Sequence, residues 1–145
     1  MTTGAAGAAP TRPGIHSLNP LAAMIADIAT ATLEECLQDF RDRFNDNERV
    51  KKLIAGWNRD VLVEPLEAPT AYTMTIENLA MTSVSPGIAE GEGTVHMQAD
   101  EEILKRIFTG DYNPATALID GNMAVFSAER DKVKLEAIAM VIWGL

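Results

Sequence analysis

The chain has 145 residues, enough for one domain with a modest core. Hydrophobic residues make up 47% and charged residues 23%, the proportions of an ordinary globular protein. The formal net charge of −9 repels phosphate backbones and anionic headgroups, so nucleic acid and polybasic membrane docking are excluded as first readings. One cysteine, Cys36, rules out an intramolecular disulfide and fits a reducing compartment. No apolar run approaches the roughly 20 residues that span a bilayer. The final "IWGL" is no Ser-Lys-Leu address, so the expected location is the cytoplasm.

The opening "MTTGAAGAAPTRPG" is low in complexity and too poor in large apolar residues for a signal sequence. Residues 1–17 are therefore expected as a flexible tail and 18–145 as a single domain. "SLNPLAAMIADIATATLEECLQDFRDRF" is helical, with Asn19 capping and Pro20 at the first helical position. It either runs through Thr30 and Thr32 or breaks there. Leu33, Leu37, Phe40 and Phe44 recur at helical spacing and are expected to face a core. "DNERVKKLIAG" predicts a short helix with Val50, Leu53 and Ile54 on one side and Gly56 as its stop.

The period then changes. "NRDVLVEP" predicts a strand ended by Pro65. "AYTMTIEN" alternates, with Tyr72, Met74 and Ile76 on one face and Thr73, Thr75 and Glu77 on the other. "AMTSVSPG" and "GEGTVHMQAD" predict two more strands, the latter with Val95 and Met97 inward, and the four runs are expected as a meander. Asp100 is expected to cap "EEILKRIF", whose apolar stripe is Ile103, Leu104, Ile107 and Phe108. Asn113 and Pro114 open a second short helix, closed by Gly121. "NMAVFSA" is a fifth strand and "ERDKVKLEAIAMVIWGL" a last helix. This element order implies an α/β fold, α+β in the stricter sense: a five-stranded mixed sheet with helices over one face.

Gly110 and Gly121 bracket "GDYNPATALIDG", with Asn113 and Pro114 stiffening the turn between them. The bracket is expected to hold Leu118 and Ile119 over the sheet face that Met123 and Val125 reach. The ordered set Asp100, Gly110, Asn113, Pro114 and Gly121, within "VHMQADEEILKRIFTGDYNPATALIDGNMAVF", resembles the sterol carrier protein type 2 domain. The resemblance covers roughly residues 30–145. It implies a domain that binds an apolar molecule (a fatty acid, acyl-CoA or sterol-like lipid) in a tunnel between sheet and helices, without catalysis.

Face assignment gives the expected wall of that tunnel: Tyr72, Met74, Ile76, Met97, Ile107, Phe108, Leu118, Ile119, Met123, Val125, Met140, Val141 and Trp143. Seven Met residues supply side chains that re-pack around irregular ligands. The last helix is apolar on two sides, so it is sandwiched in the core, forms a dimer interface, or walls and closes a cavity. Other candidates are bland. Cys36 beside Glu34, Glu35 and Asp39 is expected to have a raised thiol pKa and no reactive role. His16 and His96 lack partners at metal spacing, and Glu101 with Glu102 suits a helix N-terminus better than general acid–base work. No nucleophile, base and orienter assemble, so no enzyme, cofactor or metal is expected. The rival reading is an accessory module that binds an enzyme of lipid or hydrophobic-cofactor metabolism.

Overall fold

A computed structural model describes residues 31–88 and 94–144. The tail expected over residues 1–17, the helix start at Asn19 and Pro20, and His16 lie outside the described residues. Helix α1 spans Leu33–Asn45 and starts at Thr32, whose hydroxyl accepts from Glu35 N while the Glu35 carboxylate accepts from Thr32 N. This reciprocal box meets two N–H groups that no helical carbonyl can reach, and so defines the start. Leu33, Leu37, Phe40 and Phe44 form its buried stripe. Helix α2 spans Glu48–Leu53, capped by Asn47 and stopped at Gly56, whose φ is +74°.

Strands β1 (Arg59–Pro65), β2 (Tyr72–Glu77) and β3 (Ala80–Pro86) form an antiparallel meander. β4 (Val95–Ala99) does not continue it. It pairs in parallel with β1, Val61 opposite Val95 and Val63 opposite Met97. The sheet order is therefore β3-β2-β1-β4-β5, with β5 (Met123–Phe126) antiparallel to β4. The expected four-strand meander is corrected on this point. β1, the central strand, has Val61, Leu62 and Val63 all buried, so it carries apolar side chains on both faces.

Helices α3 (Glu101–Phe108), α4 (Pro114–Ile119) and α5 (Glu129–Trp143) complete the fold, and Thr32–Leu145 make up one compact unit. The architecture is α+β, a mixed five-stranded sheet with helices. Asp100 holds the N-cap position of α3 but its side chain makes no capping bond; Glu67 accepts from Glu101 N instead, at 3.1 Å. Asn113 does cap α4, through Ala115 N at 2.8 Å.

α1 is stitched to the edge strand β3. Arg41 donates to Met81 O and Thr82 O (3.1 and 2.9 Å), and Asn45 exchanges two bonds with the Met81 backbone. Edge-strand groups that would otherwise be open to a stray strand are thus occupied. The same bonds fix Met81, beside a register shift at Thr75/Ile76, with its side chain buried.

Candidate functional site

An apolar cavity of about 40 Å³ lies between the sheet and the helices. Its floor is Val61, Met74, Ile76, Met81 and Met97; its roof is Phe40 and Phe44 from α1, Ile107 and Phe108 from α3, Pro114 from α4, and Leu135, Ile138 and Ala139 from α5. No charged or hydroxyl side chain lines it. Phe40 and Phe108 meet edge to face at 5.1 Å, with Phe44 6.3 Å from Phe40.

The volume decides what this space does as it stands. A cavity that takes benzene measures roughly 150 Å³, so 40 Å³ admits no alkyl chain without side-chain movement. Three of the five floor residues are Met, whose unbranched thioethers change rotamer at small cost. α5 presents Leu135, Ile138 and Ala139 inward, with Asp131 one turn before them on the same stripe.

Five residues of the expected wall line the cavity: Met74, Ile76, Met97, Ile107 and Phe108. Met123 and Val125 are buried on the same sheet face but beyond the lining. Tyr72, Leu118, Val141 and Trp143 are half-buried and also outside it. Ile119 is 85% exposed and Met140 51% exposed, so neither walls an interior space. α4 is only six residues long and turns Pro114 and Ala117 inward, which points Ile119 away from the sheet. On α5 the buried side is that of Asp131, Ile138 and Ala139, which leaves Met140 and Val133 on the opposite side.

Eight lining residues were not in the expected wall. Phe40 and Phe44 were legible as core from their spacing, and Leu135 and Ile138 as the other stripe of the last helix. Val61, Met81, Pro114 and Ala139 carry no signal that separates lining from packing.

The bracket has a tertiary partner. Gly110 and Gly121 both have positive φ, +83° and +78°. A Cβ on Gly110 would fall 2.6 Å from the Trp143 ring, whereas one on Gly121 would meet nothing within 4 Å. Trp143 also carries the Arg43 guanidinium 4.8 Å above its ring, and its buried indole N–H lacks a partner among the described residues. The end of α5 is therefore held. Its beginning is held as well. Asp131 accepts from Trp57 Nε1 at 2.8 Å and lies 3.4 Å from Arg59 Nε, and Lys134 donates to Leu53 O at 2.7 Å.

Polar groups elsewhere give no catalytic arrangement. Glu64 Oε1, on the outer sheet face, lies 2.7 Å from both His96 Nε2 and Gln98 Nε2, and those hydrogen bonds, Gln98 first, hold its carboxyl below the ordinary range. Burial raises the Tyr72 hydroxyl, aided by Glu34 and Glu101. Burial is also the main cause that raises the Cys36 thiol, with Asp39 and Glu35 adding to it and Lys105 opposing. Among the described residues no group of three His, Cys, Asp or Glu could hold a metal ion, and no helix is long and apolar enough to cross a membrane.

No family model matches the chain, and no curated protein matches it by sequence. Solved structures do match. A crystal structure of sterol carrier protein 2 superposes with a TM-score of 0.53 at 16% identity, covering 76% of this chain and 95% of that one. The chain has the sterol carrier protein 2 fold. A palmitated SCP2L2 from Aedes aegypti matches with a TM-score of 0.54 at 12% identity, over 75% of this chain and 95% of that one. A UbiJ-SCP2 ubiquinone synthesis protein matches with a TM-score of 0.53 at 17% identity, over 72% and 85%. In this sterol carrier fold the apolar cavity sits between the mixed sheet and α1, α3, α4 and α5.

Proposed function

We propose that the chain is a non-catalytic binding and transfer protein for an apolar molecule, a fatty acyl or sterol-like lipid held beneath α5. The observation that carries the reading is the cavity: it lies between sheet and helices, is lined only by apolar side chains, and has three Met and three Phe in its walls. Such walls offer no group to attack or protonate a ligand, and their one contribution is to remove apolar surface from water. That contributes about 25 cal/mol per Å² buried, less the cost of ordering the ligand and opening the walls. The likeness to a palmitated neighbour of the same fold supports the class of ligand.

Entry requires the Met side chains and α5 to shift, because about 40 Å³ is the volume of the closed form. Ala139, 7% exposed and on the lining, is the place to test this. Ala139→Leu fills the space. It should weaken uptake of a fluorescent fatty acid at least roughly ten-fold while leaving the fold intact, since three added carbons in a packed core typically cost about 1–3 kcal/mol. Equal uptake by the variant would place any ligand elsewhere.

A second reading, an accessory module with a vestigial cavity, draws on the same small volume and on the likeness to a ubiquinone synthesis protein. It predicts no uptake by either protein.

A further inference from the structure

We infer that the corner where α2 meets the first half of α5 is a docking groove for an acidic, amphipathic segment of a partner protein. The groove, about 810 Å³, runs between Leu53–Arg59 on one side and Arg130–Ala137 on the other. It uses different residues of α5 from the cavity.

Charge identifies the occupant. Residues 46–60 and 129–137 hold seven of the chain's twelve Lys and Arg but six of its twenty-one Asp and Glu, a net of +1, which leaves −10 on the rest. Within the groove the balance is sharper still. Arg59, Arg130 and Lys134 line it against one acid, Asp131, which is 5% exposed and bonded to Trp57 and Arg59. Arg130 is exposed and makes no ion pair among the described residues. Lys134 spends one N–H on Leu53 O and keeps two.

Apolar surface supplies the other half. Val133 is 56% exposed inside the groove, and Met140, two turns along the same helix, is 51% exposed. With Ala137 between them they make an i, i+4, i+7 row, the spacing that receives one face of an amphipathic helix. Exposed apolar side chains with Arg130 and Lys134 along the groove side of the row, and Glu129 and Glu136 along the other, are complementary to a segment that sets its acids toward the groove. A flat anionic bilayer fits less well: it would meet the field of the whole −9 chain and could not enter a concavity.

The test uses the full chain and a fluorescein-labelled helix of about 15 residues, with leucines at i, i+4 and i+7 and glutamates around them. Anisotropy should show binding that weakens as salt is raised to about 0.3 M. Arg130→Glu with Val133→Glu, both at exposed positions, should weaken it roughly ten-fold or more, with circular dichroism and melting unchanged. Arg106→Glu, at a cation paired with Asp111 and outside the groove lining, should leave binding as it was. Equal binding by the double variant, or preference for a lysine version of the helix, would overturn the assignment. So would recruitment of the protein to phosphatidylglycerol vesicles through Arg130 and Val133, or a wild-type dimer that Val133→Glu dissociates.

Discussion

Gly110→Ala should be far more damaging than its exposure suggests, and Gly121→Ala sets the scale. Both glycines sit in the left-handed region, at φ +83° and +78°, so an alanine at either costs about 1–2 kcal/mol from backbone alone. At Gly121 nothing else is in the way. At Gly110 the new Cβ falls 2.6 Å from Cδ2 and Cε3 of Trp143. Those are ring atoms held between α3's end and the Arg43 guanidinium, not the far end of a flexible chain. Displacing the ring adds about 1–3 kcal/mol, the usual cost of overpacking. The sum, roughly 2–5 kcal/mol, corresponds to a drop in melting temperature of about 3–4 °C per kcal/mol for a domain of this size. Melting of both variants by circular dichroism gives the comparison. Trp143→Leu in the Gly110→Ala background should recover the overpacking part, because the clash goes with the ring. Equal destabilisation at Gly110 and Gly121 would show that Trp143 does not rest on the bracket.

Leu79 occupies the second position of the β2–β3 turn at φ +67°, after Asn78 at +53°, a pair of dihedrals that favours Asn-Gly; Leu79→Gly should stabilise by about 1 kcal/mol in urea unfolding. Cys36, 3% exposed with its thiol raised mainly by burial, should resist iodoacetamide near pH 8 in the native protein and react once unfolded. Hydrogen bonds from Gln98 and His96 depress Glu64 in the folded state. Their stabilisation is full above the unfolded carboxyl value of about 4.3 and is lost as pH falls through the lower folded value. Melting temperature should therefore fall less steeply on acidification in Glu64→Gln than in the wild type.

The helices and strands were legible because their signals are local. Leu33, Leu37, Phe40 and Phe44 repeat at the helical period whatever lies opposite, whereas that repeat leaves open the helix start at Thr32, set by its box with Glu35. The parallel pairing of β4 with β1 was not legible, since alternation in "VHMQA" says which side chains face the core and not which strand lies alongside. The cavity wall was half legible for the same reason. Met74, Ile76 and Met97 follow from alternation on the sheet, whereas α4 and α5 needed the actual helix rotation to show that Ile119 and Met140 turn outward. Trp143 was expected to wall the tunnel; its contact with Gly110 joins positions 33 residues apart, and only the fold brings them together.

Native mass spectrometry of freshly purified protein tests the central claim most directly. The account predicts a fraction carrying one apolar molecule of lipid mass, released on denaturation and depleted in Ala139→Leu, whose added side chain takes up the space. A bare protein mass, together with a wild type that never takes up a fluorescent fatty acid, would contradict it.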